Sequence, residues 1–342
     1  MNTIPTTFNG SLPAYTCVGG NERRASTGLS AVILNRQGRF SRFTLFEELE
    51  KAGFDFVISL EGTAKRYDLE GLTGAFPFVR FVLLRDSITP GEEINLAVSE
   101  LSSPLFFVLW NDLRILRGGG AERMAERLLL SPDELVRKPD EKNVYKRLCT
   151  VPVIQDNHFE TMPTLSSPAL VGGNVRAIPK NPGREGLQSL FPYEGIGIYD
   201  RERFIRLGGF DGTIGNFYWQ LMDFGFRARL WGEEIACTQL IKLSFDGTVP
   251  AGDSTAEEGY RRFYLKNLAP VFRGDFANLP LRRFPGYFRR SGADLFSSWE
   301  EFSEARRWVR INRYRFQCDA KTIAGSWGDQ AGQDVEGGGG EV

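Results

Sequence analysis

Four short apolar runs, each bounded by turn-forming residues, follow one another in the first third of the chain, with helical patterns between them. The runs are Ser30–Leu34, Phe54–Leu60, Val79–Leu84 and Leu105–Trp110. Runs of this length are typical of buried strands. Helical patterns cover Phe43–Ala52, between the first two runs, and Glu92–Leu101, before the fourth. Strands that alternate with helices predict a largely parallel sheet with right-handed crossovers, which is the Rossmann-like nucleotide-binding half of an α/β protein.

Composition divides the rest of the chain into a core and two tails. Residues 1–27 are rich in Thr, Asn, Gly and Ser, and residues 325–342 are mostly Gly and polar residues. Such segments cannot bury enough apolar surface to offset their conformational entropy, so we expect a flexible N-terminal tail and a disordered C-terminal tail. Between them we expect an α/β domain over residues 28–270 and a helical C-terminal extension over residues 271–324.

The middle of the chain carries weaker local signals. SPDEL, at Ser131–Leu135, predicts the capped start of a helix because its proline would occupy the first helical position. Residues 152–194 hold many Pro and Gly residues and predict loops. Further on, Ile235–Leu243 predicts another strand.

Charge and composition exclude several classes of function. The 42 basic and 43 acidic side chains give a net charge of −1, so we expect no nucleic acid partner. The apolar runs are too short to cross a bilayer and no signal-peptide pattern is present, which predicts a cytoplasmic protein. The four cysteines lack paired spacing, so neither a zinc cluster nor a disulfide framework is expected. His158 is the only histidine, and we interpret it as a loop residue.

The segment from residue 195 to residue 232 predicts a strand over Gly195–Tyr199, a short helix over Arg201–Leu207, a glycine turn and a longer helix. In the longer helix, an apolar face holds Trp219, Met222, Phe226 and Leu230, and a polar face holds Gln220, Asp223 and Arg227. The polar face could present a carboxylate to a ligand. An ordinary intrahelical ion pair between Asp223 and Arg227 explains the spacing equally well.

The order of these motifs resembles family 2 glycosyltransferases, which have the GT-A fold. The acceptor-side half of that family is similar to two consecutive motifs of this chain, R-x-x-F-x-x-x-GGFD and then D-x-x-x-R-x-x-x-G. Residues after the predicted strands, and one in a predicted helix, match the donor-side motifs in order and spacing: Asn35, Arg36, Glu61, Asn95, Asn111 and Asp112. The resemblance covers about residues 29–250. It implies a GT-A-like, Rossmann-type sheet sandwiched by helices, with a nucleotide-sugar half over residues 28–117 and an acceptor half over residues 118–270.

The resemblance also implies a donor site, because the family places these six residues around the nucleotide-sugar. Asp112 matches the last residue of the family's D-x-D motif, which holds a divalent cation, Mg²⁺ or Mn²⁺, against the diphosphate. Asp246 lies near the position of a second ligand, although no histidine follows the strand as in family members. Trp110 replaces the first Asp of the motif. Ordinary turn or loop positions are an alternative explanation for Asp112, Glu61, Asn35 and Arg36.

Inverting transfer needs a general base, and here the sequence departs from the family. The family supplies a carboxylate from an E-D pair, and this chain has Gln220 and Leu221 at the matching positions. Leucine cannot accept a proton. We therefore expect Asp223 to act as the base, with Gln220 and Arg227 beside it at the catalytic centre.

The function implied by the resemblance is transfer of a sugar from a UDP- or GDP-linked donor to a saccharide or lipid-linked acceptor. An inverting route and a role in the synthesis of surface polysaccharide or glycan would follow from the family. One alternative is a catalytically degenerate relative that binds nucleotide-sugar or glycan without efficient transfer, as the replacements at Trp110 and Leu221 suggest. Another is a nucleotidyltransferase, but LNRQGRF lacks the glycine-rich basic loop of that class.

The C-terminal extension combines arginines with aromatic residues. RRFPGYFRR, at Arg282–Arg290, could contact an anionic membrane at its inner face. The following stripe of Trp299, Phe302, Ala305 and Val309 predicts a helix, with arginines largely off the stripe. We interpret this helix as one that packs back on the catalytic domain.

Overall fold

The computed structural model describes residues 13–22, 27–36, 42–62, 69–117, 120–129, 147–171, 174–246, 258–325 and 327. The predicted helix start at Ser131–Leu135 and most of the two predicted tails lie outside these residues. Within them, nine strands form one sheet in the order β1-β4-β3-β2-β5-β10-β7-β11-β6. Its strands are β1 (Tyr15–Gly19), β2 (Leu29–Leu34), β3 (Val57–Glu61), β4 (Val79–Leu84), β5 (Leu105–Trp110), β6 (Leu113–Arg117), β7 (Cys149–Gln155), β10 (Gly197–Asp200) and β11 (Ile235–Phe245). Two hairpins, β8 (Leu165–Val171) with β9 (Asn174–Lys180) and β12 (Val271–Arg273) with β13 (Phe276–Asn278), stand apart.

The four strands predicted from the alternating pattern form the parallel half of the sheet. Strand β2 pairs in parallel with β3 and β5, and β3 pairs in parallel with β4. The other half is mixed, because β10 runs antiparallel to both β5 and β7, while β11 is parallel to β7 and antiparallel to β6. The prediction of a largely parallel sheet is therefore confirmed for the first half and is too simple for the second.

Helices cover the sheet, as the alternating pattern predicts. They are α1 (Arg42–Lys51), α2 (Leu69–Ala75), α3 (Pro90–Glu100), α4 (Ala121–Leu129), α5 (Arg201–Leu207), α6 (Phe217–Leu230), α7 (Glu258–Phe263), α8 (Phe284–Ser291) and α9 (Leu295–Asn312). Helix α3 starts at a full capping box, in which Thr89 and Glu92 bond each other's backbone N–H groups and a proline follows Thr89. A π-helical turn, Tyr264–Leu268, continues α7.

Two sequence-based expectations need correction. Part of the predicted N-terminal tail is strand β1, which pairs antiparallel with β4 at the sheet edge. The predicted loop-rich stretch over residues 152–194 contains most of β7 and the β8–β9 hairpin. Pro152 argued against a strand there because it has no N–H to donate. In the structure, Pro152 pairs with Thr238 where the register of β11 shifts, and such an irregularity accommodates a missing donor.

Helix α6 lies in the centre of the protein. Eleven of its fourteen residues are buried, including Gln220, Asp223 and Arg227 on its polar face. A helix that is buried on all sides must satisfy its polar side chains internally. The polar stripe read from the sequence is therefore a set of core residues.

Gly225 lets α6 approach the backbone before β10. A Cβ atom added there would lie 2.2 Å from the carbonyl oxygen of Leu190. We predict that Gly225→Ala lowers the free energy of unfolding by about 1–3 kcal/mol, measured by urea denaturation, since overpacking forces backbone shifts. The matched control is Gly74→Ala in α2, where no atom lies within 4 Å of the added Cβ. That control should be neutral or stabilising, and equal effects of the two substitutions would contradict the packing argument.

The C-terminal extension packs against the C-terminal end of α6, where the backbone N–H of Gln317 donates to the carbonyl oxygen of Leu230 at 2.7 Å. Phe302, Ala305 and Val309 of α9 are buried, which confirms that this helix packs back on the domain. Trp299 departs from the predicted stripe, since 48% of it is exposed. Across the part of the chain that the structure describes, no helix combines the length and the apolar composition needed to cross a bilayer.

Candidate functional site

The carboxyl ends of several strands meet at one edge of the sheet. Because β2, β3 and β5 are parallel, the residues that end or follow them lie together at this edge. Strand β10 runs antiparallel to β5, so the turn before it, at residues 193–195, lies at the same edge. Strand β11 also ends here, because the backbone N–H of Asp246 donates to the carbonyl oxygen of Asp112 at 2.7 Å. We call this the donor edge.

Arg36 is the centre of the donor edge. Its Nη1 atom donates to both carboxylate oxygens of Asp112, at 2.9 and 2.8 Å, and its Nη2 atom donates to Oε2 of Glu194 at 2.9 Å. Its backbone N–H donates to Oδ1 of Asn111 at 3.0 Å. The guanidinium lies 4.0 Å from the ring centre of Trp110. Because Nη1 and Nη2 already donate to these two carboxylates, an anionic group would bind through the remaining N–H groups of Arg36, beside a second cation that offsets the net negative charge.

Trp110 and Glu194 complete this arrangement. Nε1 of Trp110 donates to the carbonyl oxygen of Glu194 at 2.9 Å. Glu194 has a φ of +50°. This left-handed conformation is energetically unfavourable for residues other than glycine. Burial raises the pKa of Glu194 above its ordinary value, although Arg36 opposes the shift. Sequence reasoning missed Glu194, because YEG matches no motif and lies 158 residues from Arg36.

Asn35 and Glu61 form a second polar group at the donor edge. Nδ2 of Asn35 donates to the carbonyl oxygen of Leu60. Oε1 of Glu61 accepts from Nη1 of Arg42 at 2.8 Å and from Oγ of Ser59 at 2.9 Å. Oδ1 of Asn35 and Oε2 of Glu61 are buried and have no hydrogen-bond partner among the described residues. Unsatisfied buried acceptors of this kind are suited to a ligand that donates hydrogen bonds.

Glu93, in the first turn of α3, adds a further carboxyl near Glu61. Burial, followed by the negative charges of Glu61 and Glu92, raises the pKa of Glu93 to about 8. Burial also raises the pKa of Glu61, against the opposing effect of Arg42. Carboxyls with raised pKa values in a cleft are common at functional sites.

The raised pKa of Glu93 predicts a stability that depends on pH. Between the ordinary pKa of 4.5 and the folded value of about 8, the folded protein binds more protons than the unfolded chain. Stability should therefore fall as the pH rises through this window. We predict that Glu93→Gln raises the melting temperature at about pH 8 and has little effect near pH 5. Glu122→Gln, at an exposed first-turn position of α4, is the control. A difference from wild type that stays constant across this pH range would contradict the prediction.

The two predicted metal ligands lie close together, but both are paired with arginines. Asp112 is paired with Arg36, and Oδ2 of Asp246 accepts from Nη2 of Arg114 at 2.9 Å. Asp246 is the more accessible, with 53% of its side chain exposed against 5% for Asp112. Among the described residues, no group of three or more His, Cys, Asp or Glu side chains could hold a metal ion. A cation here would need further oxygen ligands from a bound diphosphate.

Asn95 and Arg227 position the glycine turn. The side-chain amide of Asn95 donates to the carbonyl oxygen of Phe210 at 2.8 Å and accepts from the Phe210 N–H at 2.9 Å. Arg227 donates to the carbonyl oxygens of Leu207 and Gly209, both at 2.7 Å. Both side chains are buried, at 0% and 1% exposed. Both side chains thus make buried contacts to the glycine turn, which argues against the donor and catalytic roles that the sequence predicts for them.

Asp223 lies in a buried charge cluster and not in an open site. Its Oδ2 atom is 2.8 Å from Nη2 of Arg227, and its Oδ1 atom is 2.8 Å from both Nζ of Lys266 and Nδ2 of Asn267. Burial alone would raise the pKa of Asp223, but Lys266 and Arg227 outweigh it and hold this pKa below its ordinary value. A base for an acceptor hydroxyl must be accessible and poised near the working pH. The burial and the ion pairs of Asp223 therefore argue against the role of base that the sequence predicts for it.

Gln220 and Leu221 supply no base either. Nε2 of Gln220 donates to Oγ1 of Thr89 at 2.8 Å and to the carbonyl oxygen of Asp211 at 3.2 Å. Gln220 is fully buried and Leu221 is 3% exposed. The predicted catalytic face of α6 thus ties the helix to the glycine turn and to the start of α3.

Comparisons with known proteins find similarity in structure only. No protein-family model matches the sequence, and no curated protein matches it. The structure is similar to that of GalNAc-T7 with UDP, GalNAc and Mn²⁺, with a TM-score of 0.50 and 11% identity, over 86% of this chain and 56% of that chain. This chain thus corresponds to little more than half of GalNAc-T7.

Two further structures match with lower scores. TarS 1–349 of S. aureus, in complex with UDP-GlcNAc, matches with a TM-score of 0.42 and 12% identity, over 81% of this chain and 71% of that chain. The mannosyltransferase PcManGT of Pyrobaculum calidifontis, with GDP-Man and Mn²⁺, matches with a TM-score of 0.39 and 11% identity, over 94% and 77%. From its sheet topology and its similarity to GalNAc-T7, we conclude that the chain has the GT-A-type fold of glycosyltransferases.

Proposed function

We propose that the protein is a glycosyltransferase that binds a nucleotide-sugar at the donor edge and transfers its sugar to an acceptor. The observation that carries the proposal is the arrangement around Arg36, where a forked cation, two carboxylates and an aromatic ring meet at the carboxyl ends of parallel strands. Open α/β sheets bind ligands at this edge. The GT-A-type fold supports the proposal, since GalNAc-T7, which shares it, has UDP in its structure.

Each polar group at the donor edge has a role in this proposal. Arg36 binds the diphosphate, because its planar fork matches phosphate oxygens and Trp110 supports it from one face. The free acceptors on Asn35 and Glu61 receive hydrogen bonds from the base or the ribose hydroxyls. Asn111 orients the backbone of Arg36. We propose a UDP- or GDP-linked donor.

A divalent cation fits the donor edge if the diphosphate shares its coordination. Asp112 and Asp246 offer hard oxygen ligands from neighbouring strand ends, and Mg²⁺ sites often use one or two carboxylates with phosphate oxygens. The structure of GalNAc-T7 contains Mn²⁺. We propose that Asp112 and Asp246 hold Mg²⁺ or Mn²⁺, which would offset negative charge on the leaving diphosphate. Arg36 then acts beside the cation on the same diphosphate.

The finer parts of the proposal rest on the sequence resemblance. They are an inverting reaction, a saccharide or lipid-linked acceptor, a role in surface polysaccharide or glycan synthesis, and a cytoplasmic location. Contact with the inner face of the membrane through Arg282–Arg290 also stays a proposal. Of these residues, Arg282, Arg289 and Arg290 are exposed, which is compatible with such contact.

A second candidate function is binding of a nucleotide-sugar without efficient transfer. The specific observation in its favour is the state of α6, where Asp223 is locked in ion pairs and Leu221 replaces the family's acidic residue. Glu194 pairs with Arg36 at the donor edge and is a carboxyl that could serve in their place, and its pKa is raised by burial. A raised pKa suits a general base that works near neutral pH.

A thermal-shift panel tests the binding step that both candidate functions share. UDP-, GDP- and dTDP-sugars are tested with and without Mn²⁺ or Mg²⁺, because a ligand that binds the native state raises the melting temperature. We expect a shift with one nucleotide that increases with the cation. No shift with any nucleotide-sugar would contradict both candidate functions.

Asp112→Asn tests the role proposed for the cation. The amide keeps the shape of the side chain but weakens coordination of a hard cation. We predict that the variant loses the cation-dependent part of the donor-induced shift. Asp275→Asn is the control, since that exposed carboxylate lies in the β12–β13 hairpin, which stands apart from the sheet. An unchanged cation dependence in Asp112→Asn would remove Asp112 from the proposed site.

A further inference from the structure

A pocket rich in arginine lies in the C-terminal extension, apart from the donor edge. It has a volume of about 340 Å³ and lies between strand β13 and one face of α9. Its charged lining consists of Arg306, Arg307, Arg310 and Arg313, and its apolar wall includes Phe276. Among the residues that the structure describes, no acidic side chain lines it. We call it the arginine pocket.

The charges in the arginine pocket are not balanced within the described part of the chain. Arg306 donates to the carbonyl oxygen of Leu279, and Arg313 donates to the hydroxyl of Tyr314. Arg307 and Arg310 are exposed and form no ion pair with the described residues. Of the acids of α9, Glu301 pairs with Arg261 and Glu304 pairs with Arg262, while Glu300 is exposed two turns before Arg307. Like charges at helical spacing repel each other, so an anionic partner would stabilise this face.

Exposed aromatic side chains continue the same face of α9 toward its N-terminus. Phe296 is 84% exposed and Trp299 is 48% exposed. Their spacing from Arg306, Arg307 and Arg310 places all five within one side of the helix. At the other end of the pocket, Phe276 and Tyr314 are 40% and 68% exposed. Exposed aromatic residues beside arginines are typical of a surface that lies at a membrane interface.

We propose that this face of α9 binds an anionic bilayer, with lipid phosphate groups in the arginine pocket and Phe296 and Trp299 in the interfacial layer. Charge complementarity favours phosphate headgroups, because guanidinium groups bind phosphate oxygens bidentately. The exposed aromatic rings favour a lipid over a phosphate ligand free in solution, which would leave them in water. The proposal does not depend on the proposed sugar transfer.

The test is cosedimentation of the whole protein with lipid vesicles, without any nucleotide-sugar. Neutral phosphatidylcholine vesicles are compared with vesicles that also contain phosphatidylglycerol. We expect binding only to the anionic vesicles. Arg307→Gln with Arg310→Gln should weaken it on the order of 30-fold, since each surface arginine contributes roughly 1 kcal/mol. Both side chains are exposed, so the double variant should keep its fold.

Controls separate this face from general charge and from soluble phosphate. Arg85→Gln with Arg123→Gln removes the same charge from exposed positions elsewhere and should change binding little. Phe296→Ser should weaken vesicle binding without changing the melting temperature. Equal binding of wild type and the Arg307 and Arg310 double variant would overturn the proposal. The proposal would also be overturned by a combination of two results. The first is that the double variant loses binding of inorganic pyrophosphate to the same degree as binding of vesicles. The second is that Phe296→Ser binds vesicles as tightly as wild type.

Discussion

Lys266→Met should be among the most destabilising single substitutions in this protein, with a loss of about 3–5 kcal/mol in the free energy of unfolding. Nζ of Lys266 lies 2.7 Å from Oδ2 of Asp211 and 2.8 Å from Oδ1 of Asp223, and the residue is 2% exposed. Methionine fills a similar volume without the charge. Each of the two buried carboxylates would then keep one arginine as its cationic partner, Arg227 for Asp223 and Arg262 for Asp211.

The pKa values indicate how the stabilisation should depend on pH. Burial would raise the pKa of Asp211 and of Asp223, but Lys266 and the arginines outweigh it and hold both values below the ordinary 3.8. Their contribution is therefore present above about pH 4 and is lost as the pH falls through the folded pKa values. Lys266→Met should weaken this acid dependence.

Urea denaturation of Lys266→Met at neutral pH measures the predicted loss. Lys180→Met, at an exposed position at the end of β9, is the matched control and should stay within about 0.5 kcal/mol of wild type. Equal stabilities of the two variants would mean that the buried charge cluster does not hold α6 to the π-helical turn that continues α7.

Arg36→Ala should have the largest effect on donor binding. The substitution removes charge-assisted hydrogen bonds, each of which contributes roughly 1.5–3 kcal/mol when the groups are desolvated. It also leaves Asp112 and Glu194 without their shared cation, so two carboxylates would repel the diphosphate. We expect the donor affinity to fall by a factor on the order of 100.

Three variants make the Arg36 prediction specific. Arg36→Lys keeps the charge but loses the fork, so it should bind more weakly than wild type and more tightly than Arg36→Ala. Arg36→Ala combined with Glu194→Gln removes one repelling carboxylate and should recover part of the affinity. Arg203→Ala is the control, because Arg203 pairs with Glu233 and Asp200 at the opposite edge of the sheet. Calorimetric titration of the donor measures all of them, and wild-type affinity in Arg36→Ala would exclude the proposed diphosphate contact.

The sequence predicted the elements that depend on local patterns. The apolar runs located β2 to β5, and the short helix Arg201–Leu207 was predicted with the bounds that it has in the structure. The residues after those strands were expected to converge, and Asn35, Arg36, Glu61 and Asp112 do lie at the donor edge. These predictions succeeded because strand direction alone brings the carboxyl ends of parallel strands together.

The predictions that failed depend on partners far along the chain. The partners of Asp223 include Lys266 and Asn267, and no local pattern shows that these residues bury its carboxylate. Asn95 is 115 residues from the Phe210 backbone that it holds. Glu194 lies 158 residues from Arg36, so only the fold reveals that it joins the site. Strand β7 was missed because a proline such as Pro152 locally disfavours a strand. The register shift that accommodates this proline lies in the neighbouring strand β11, far along the chain.

The most direct test of the central claim is hydrogen–deuterium exchange of the intact protein with and without a nucleotide-sugar and Mn²⁺. Binding slows exchange where the ligand orders the backbone or covers it. We predict protection at the ends of β2, β3 and β5 and in the turn at residues 193–195, with none on α9. Two results would contradict the claim that the donor edge binds a nucleotide-sugar. One is slower exchange only in other segments when a UDP-, GDP- or dTDP-sugar is added. The other is unchanged exchange with all of these sugars.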